Sequence, residues 1–405
     1  MKVLHSLAQL PTRTGSGVYY RNLIREFKQK TDWEQIALYA KPQDLTVDWL
    51  AADYEYAVNF ESPELPFPIA GMSDVMPYPS TIYHKLEKDQ LASWKQAFLK
   101  QLEKIKQEQA PELIIAHHLW ILTRLLEEVF PEVPIVAISH GTDLRQALQN
   151  PGLASKEVGS LDGLDKVFAL SSLHIDDIHS LFGVPKQKLI VTGGAFDQEL
   201  FYPDDSKPEL GDEPRRDFRF VYAGKLSEAK GTFELIKAFH RLSKRGLKMR
   251  LDLIGQLNPE VEAILNAEPD AKIRVYDVAS QEALAAELRT ADCFVFPSYF
   301  EGLGLIALEA LASGLRMVVN ELPTLQEQLN DKLLEHPWIS WVPLPELEHI
   351  DQPKKAAIPG YVESLAEAML EQYEAAKEGP SDSPMELVLE HSWDRLSDRI
   401  LNALS

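Results

Sequence analysis

Residues 294–320 read FVFPSYFEGLGLIALEALASGLRMVVN. An unbroken apolar strand runs into Pro297-Ser298, a glycine-bearing turn follows over Glu301-Gly302-Leu303-Gly304, and a helix begins at about Leu305. Apolar runs without polar alternation suit strands covered on both faces, as in a parallel sheet wrapped by helices. The same order of strand, turn and helix recurs outward in both directions. Upstream lie strands at 218–222, 249–254 and 273–276 with helices at 233–242 and 281–290. Further back, residues 2–7 read as a strand, Gly15-Ser16-Gly17 as a turn, and Tyr20, Leu23, Ile24 and Phe27 repeat at helical spacing. More strands are expected at 35–39, 113–116, 135–139, 166–170 and 189–192.

The stretch 202–217, YPDDSKPELGDEPRRD, is rich in proline and acid and poor in apolar residues, so it reads as a linker. The expected fold class is therefore α/β, with two Rossmann-like doubly wound parallel-sheet domains facing across a cleft. The N-terminal domain takes 1–202, the linker 203–217, the C-terminal domain 218–380, and a helical segment 381–405 follows. A hinge is expected within 203–217.

At 405 residues the chain is long enough for two such cores, and 45% hydrophobic with 25% charged residues is the balance of a folded globular protein. Forty-one basic against 62 acidic residues give a net charge of −21, which argues against nucleic-acid binding. An anionic ligand would need a local basic pocket. A single cysteine, Cys293, excludes an internal disulfide and a cysteine-based zinc site and fits a reducing compartment. No apolar run approaches the ~20 residues that cross a bilayer, and the start lacks a signal-peptide pattern. The expected location is cytoplasmic.

In doubly wound domains ligands sit at the carboxyl ends of the strands, so motifs just after strands carry the chemistry. Gly302 and Gly304 let backbone N–H groups approach an anion at a helix N-terminus. Glu309, eight residues after Glu301 and about two turns into the helix, can accept hydrogen bonds from the paired hydroxyls of a ribose. That spacing matches a nucleotide sugar. Residues 222–231, YAGKLSEAKG, place Lys225 and Lys230 five apart on a glycine-flanked loop, suited to a diphosphate. Taken singly, each segment also reads as an ordinary capped turn with solvated charges.

Jointly and in this order, the lysine loop and Glu-x7-Glu resemble the family-4 retaining glycosyltransferases of the GT-B fold. The resemblance implies that Lys225 and Lys230 hold the diphosphate, that Glu301 faces the donor sugar with Ser298, Gly302, Leu303 and Gly304 beside it, and that Glu309 holds the ribose. Gly15, Ser16 and Gly17 resemble that family's first glycine-rich loop, beside donor phosphates and acceptor. His140, in His140-Gly141-Thr142-Asp143, matches a histidine near the transferring sugar. His117 and His118, as neighbours in a strand, are expected to point to opposite sides, which argues against a shared metal. Three departures stand out: lysine rather than arginine at 225, VTGGAFDQELF at 191–201, and no glycine in ELPTLQEQL after Asn320.

By this resemblance the chain transfers a hexosyl group, with retention, from a nucleotide diphosphate sugar (UDP preferred, GDP next) to an acceptor with a free hydroxyl on a saccharide, glycan or glycolipid. No Asp-x-Asp occurs, so no metal and no cofactor beyond the nucleotide sugar co-substrate is expected. The alternatives are a nucleotide-sugar epimerase of the same architecture and a non-catalytic binding subunit. The acceptor should lie on the N-terminal domain, where residues 65–83 form either a covering flap or a packed irregular loop. Residues 83–109 carry six lysines on an amphipathic helix; interspersed acids favour an ordinary surface helix over a peripheral membrane contact. No nucleic-acid partner and no integral membrane segment are expected.

Overall fold

The computed structural model describes residues 1–204, 217–349, 351–378 and 382–404. The chain folds as two units, one of residues 1–193 with 397–405, the other of residues 194–396. Most of the expected linker and hinge, residues 205–216, lies outside the described residues.

The first unit is built on a seven-stranded sheet. Across it the strands run Tyr54–Phe60, Glu34–Pro42, Lys2–Leu7, Leu113–His117, Ile135–Ser139, Lys166–Ala169 and Leu189–Val191, all parallel. In chain order this is 3-2-1-4-5-6-7, the Rossmann order with one strand added. The second unit carries a six-stranded parallel sheet, Ile273–Tyr276, Met249–Ile254, Phe218–Ala223, Cys293–Phe296, Arg316–Asn320 and Ile339–Val342, which is 3-2-1-4-5-6. Both units are thus Rossmann-like.

Strands Phe218–Ala223, Cys293–Phe296 and Arg316–Asn320 are buried throughout, which explains their lack of alternation. One charged side chain among them is paired rather than exposed: Arg219 donates to Asp252 and Glu287 and to the Tyr276 hydroxyl at 2.7 Å. A buried guanidinium persists only with such partners. Strands Tyr54–Phe60, Arg316–Asn320 and Ile339–Val342 were absent from the sequence expectation. Tyr54–Phe60 is a sheet edge whose polar Glu55 and Asn59 interrupt the apolar run, and the other two are only five and four residues long.

Residues 65–83 form a packed irregular segment. Leu65, Phe67, Ile69 and Met72 join the core of the first unit, while Val75 stands out at its tip. The following helix, Lys88–Glu108, buries Trp94, Phe98, Leu102 and Ile105. Lys95 pairs with Glu157, Lys100 with Glu64, and Lys106 donates to the Val129 carbonyl, so its basic face is tied down by its own unit. Among the described residues no helix is long and apolar enough to cross a membrane.

Each sheet has one point where chain order reverses, beside its first strand. In the second unit that point lies between Phe218–Ala223 and Cys293–Phe296, whose carboxyl ends lead into the lysine loop and the Glu301 loop. In the first unit it lies between Lys2–Leu7 and Leu113–His117, leading to Gly15 and to the histidines. Ligands of doubly wound folds bind at such points.

Candidate functional site

In the second unit, the lysine loop leaves its strand at Gly224. The Tyr222 hydroxyl donates to the Lys225 carbonyl at 2.8 Å and holds the turn, after which one turn of 3-10 helix, Glu228–Lys230, brings Lys230 round. Gly231 then opens the helix Thr232–Ser243 at φ +65, and a Cβ placed there would lie 2.1 Å from the Pro297 carbonyl oxygen. Both the backbone angle and the space require glycine. This close approach sets the lysine loop directly against the Glu301 loop.

The Glu301 loop is braced from below. Asn320 donates from Nδ2 to the carbonyls of Pro297 and Ser298 at 2.9 and 3.0 Å, and the Tyr361 hydroxyl donates to Asn320 Oδ1 at 2.8 Å. From the side, Thr324 donates to the Glu301 carbonyl at 3.0 Å and Gln328 to the Leu303 carbonyl at 2.5 Å. The segment lacking glycine after Asn320 therefore supports the loop with side chains. Neither Thr324 nor Gln328 was singled out in the sequence; their spacing of four at helix Pro323–Gln328 is a signal visible only once the loop above it is known.

Within this frame Lys230 Nζ lies 2.8 Å from Glu301 Oε1 and 3.3 Å from the Phe300 carbonyl oxygen. Lys225 is exposed and makes no ion pair among the described residues. Both lysines and Glu301 line one cavity of ≈ 740 Å³, whose far wall comes from Gln256, Leu257, Asn258, Asp277 and Val278. The size is that of a small-molecule site. The far wall follows the strands Met249–Ile254 and Ile273–Tyr276, so the rule of strand ends applied to them would have found it.

The remaining expected residues are placed differently. Gly302 is exposed, Gly304 caps the helix Leu305–Ala312, and Ser298 is wholly buried with its hydroxyl unpaired. None of these, nor Leu303 or Glu309, is among the cavity's lining residues. Glu309 is half-buried on that helix with no hydrogen-bond partner for its carboxyl group among the described residues. Its burial, with the charge of Asp197 added, pushes its pKa up to about 7.

In the first unit Gly15-Ser16-Gly17 is not a loop. It forms the first turn of the helix Gly15–Lys30, with Thr14 capping it by accepting from the Gly17 N–H at 3.0 Å. Gln9 donates to Thr14 Oγ1 and Ser16 Oγ at 2.9 and 2.7 Å. A Cβ on Gly17 would come within 2.8 Å of the Leu10 carbonyl oxygen, so this glycine serves close packing of turn on strand end.

His117 and His118 do not point apart. The strand ends at His117, and His118 turns into the left-handed region at φ +77, which ends the alternation. Both rings then reach His140: His117 stacks on it with Nδ1 3.1 Å from His140 Nε2, and the His118 centroid lies 4.8 Å away. Tyr19 meets His140 edge-on at 5.1 Å. Asp143 fixes the turn by accepting from Leu119 N, Ser139 Oγ and its neighbour Leu144 N. Burial lowers His118 to about 4 and drives His117 and His140 well below the ordinary imidazole range, helped by the neighbouring rings. His140 is thus neutral at pH 7, able to donate or accept a hydrogen bond but not to act as a cation.

Residues 205–334 match the family described as glycosyl transferases group 1. A D-inositol 3-phosphate glycosyltransferase of Pseudarthrobacter chlorophenolicus is 26% identical over 256 residues, 58% of this chain and 61% of that one. The chain thus spans less than two thirds of that relative's length. Among solved structures, Anabaena HepE in complex with UDP and glucose superposes at a TM-score of 0.59 with 13% identity, covering 100% of this chain and 99% of HepE. UDP-GlcNAc 2-epimerase from Neisseria meningitidis, bound to UDP-GlcNAc, superposes at 0.57 with 13% identity, covering 100% and 99%. The chain thus has the fold of these solved structures, and its residues 205–334 match the group 1 glycosyl transferase family model.

Proposed function

We propose that the chain is a retaining hexosyltransferase that moves a sugar from a nucleotide diphosphate sugar, UDP first, to an acceptor hydroxyl without a metal ion. The observation that carries this reading is the meeting of Lys225, Lys230 and Glu301 on one cavity at the carboxyl ends of the second sheet. HepE, similar in fold, binds UDP and glucose, and that supports UDP as the nucleotide.

In this reading the bond from the anomeric carbon to the diphosphate oxygen breaks while the acceptor oxygen bonds the same face of that carbon. The acceptor's proton passes to the departing diphosphate. Lys225, Lys230 and the amides at Gly302 to Gly304 stabilise the charge that grows on the leaving group. Glu301 accepts from the sugar's hydroxyls and Glu309 from the ribose.

Calorimetric titration with UDP-, GDP- and ADP-sugars in EDTA tests the donor assignment, alongside Glu309→Ala. UDP-sugar should bind, and the variant should weaken it at least ~10-fold, the worth of a charge-assisted hydrogen-bond pair. Absence of binding by all three would overturn the reading. The epimerase alternative, favoured by the likeness to UDP-GlcNAc 2-epimerase, predicts a changed sugar when the donor is incubated alone. NMR of that mixture should show the donor's sugar configuration unaltered.

A further inference from the structure

We propose that four buried side chains, Glu234, Tyr299, Asn320 and Tyr361, are positioning residues. Together they hold Glu301 at its distance from Lys230, and so set the affinity for the donor's sugar without setting that for its nucleotide. The identity of the ligand rests on the glycosyl-transfer reading above; the tether rests on geometry alone.

Three successive residues lead into Phe300 and Glu301, and buried side chains of other segments tie each of them. The carbonyls of Pro297 and Ser298 accept the two amide hydrogens of Asn320, at the end of strand Arg316–Asn320. Tyr299 donates its hydroxyl to Glu234 Oε2 at 3.0 Å, and Glu234 belongs to the helix Thr232–Ser243 that follows the lysine loop. The Tyr299 N–H also donates to the carbonyl of Ala229, the residue before Lys230, at 3.4 Å. Tyr361, from the helix Ile358–Lys377, closes the set. Its hydroxyl lies 2.8 Å from Asn320 Oδ1 and 3.3 Å from the Pro297 carbonyl oxygen, and its ring centroid is 5.6 Å from that of Tyr299.

Packing alone does not account for these groups. All four are at most 4% exposed, and Glu234 keeps a carboxylate there with one further partner, Lys237 at 3.2 Å. Apolar residues of similar volume would fill the space without the desolvation that a buried carboxylate and amide bring. What the polar groups add is direction, because a hydrogen bond fixes both distance and angle where apolar contacts slide. The group held in this way is Glu301. Its carboxylate stands 2.8 Å from Lys230 Nζ, which also reaches the Phe300 carbonyl at 3.3 Å. A shift of the loop would change where that carboxylate points and how much of the lysine's charge it takes up. Binding groups need such support to within ~0.5 Å.

The restriction to the sugar follows from the partners. Among the described residues the side chains of Tyr361 and Asn320 bond each other and the Glu301 loop alone, the part of the cavity that the reading gives to the sugar. None of the four bonds Lys225 or the far wall at Gln256, Leu257, Asn258, Asp277 and Val278.

The full chain and its Tyr361→Phe, Tyr299→Phe and Tyr373→Phe variants are titrated calorimetrically with UDP and with UDP-glucose. The first two each lose one hydroxyl and keep the ring. Tyr373, about three turns along the same helix and packed edge-on against Phe218, is the control. Tyr361→Phe and Tyr299→Phe should each weaken UDP-glucose at least ~5-fold, as expected when a buried partner is left unpaired, with UDP held within about twofold. In a Glu301→Ala background the Tyr361→Phe change should alter UDP-glucose affinity by less than about twofold, because a residue acting through Glu301 then has nothing to position. Equal weakening of UDP and UDP-glucose, an unchanged UDP-glucose affinity, or an undiminished effect without Glu301 overturns the proposal. Hydrogen exchange of residues 298–304 without ligand separates the tether from the reading. Exchange should quicken in Tyr361→Phe and not in Tyr373→Phe, and equal exchange overturns the tether whatever binds. A wild type that binds neither UDP nor UDP-glucose, yet whose loop quickens in this way, overturns the glycosyl-transfer reading and leaves the tether standing.

Discussion

Glu309 shows how one side chain ties stability to ligand chemistry. Its carboxyl group is half-buried, unpaired and shifted up to about 7 by burial and by Asp197, so folding favours its protonated form. The penalty is absent below about pH 4.5, grows as pH rises from there to about 7 while the unfolded chain is already ionised, and then levels off. On that shift the penalty at pH 8 is on the order of 2–3 kcal/mol. Glu309→Gln should therefore raise the melting temperature at pH 8 and leave it nearly unchanged at pH 5. An equal change at both values would mean that packing, not charge, governs the position. A nucleoside's ribose hydroxyls would supply the carboxylate with partners, so UDP affinity should rise between pH 6 and 8 in the wild type and stay flat in the glutamine variant.

At the level of elements, the site depends on two loops being pressed together at Gly231. Gly231→Ala would place a methyl group 2.1 Å from the Pro297 carbonyl oxygen and hold alanine at φ +65. The loops must separate, at a cost of roughly 1–3 kcal/mol for the backbone alone. Thermal unfolding should show that loss, with UDP binding weakened alongside, whereas Gly302→Ala meets nothing within 4 Å and should melt like the wild type. A Gly231→Ala protein as stable as its parent would remove the clamp from the account. Most of this architecture was legible in the sequence, because strand, turn and helix leave local marks: an unbroken apolar run at 294–296, a glycine turn, a helical repeat. The lysine and glutamate loops could be paired because both follow strands. What could not be read were contacts made by backbone reversal or by distant segments. The left-handed His118 brings two histidines onto His140 where strand alternation would part them. The Gly15 turn reads as a loop until Thr14 is seen capping it. The buried bonds from Tyr299 to Glu234 and from Tyr361 to Asn320 span 65 and 41 residues of chain, beyond the reach of any local pattern.

For the molecule as a whole, the telling element is the last helix, Trp393–Leu404. Its first residues belong to the second unit, and from Ser397 onward the chain belongs to the first. Within the first unit Asp398 pairs with Lys30 at 2.7 Å, Arg399 donates to the Thr192 carbonyl at 3.2 Å, and Lys166 donates to that of Ala403, while Ile400 is fully buried. The first unit is therefore completed only after the whole second unit has been synthesised. The partly exposed ion pair contributes little, about 1 kcal/mol, whereas burying Ile400 contributes roughly 1.5–3 kcal/mol. Deleting residues 397–405 should consequently destabilise the first unit far more than Lys30→Ala does. Hydrogen exchange should quicken in the strand Leu189–Val191 and the helix Gly15–Lys30, whose neighbours are lost, and stay unchanged in the strands Phe218–Ala223 and Cys293–Phe296. UDP affinity, which the proposed function assigns to the second unit, should be retained. If protection fell equally in both sheets, the helix would be stabilising the two units together, and the division of labour drawn from its contacts would be wrong.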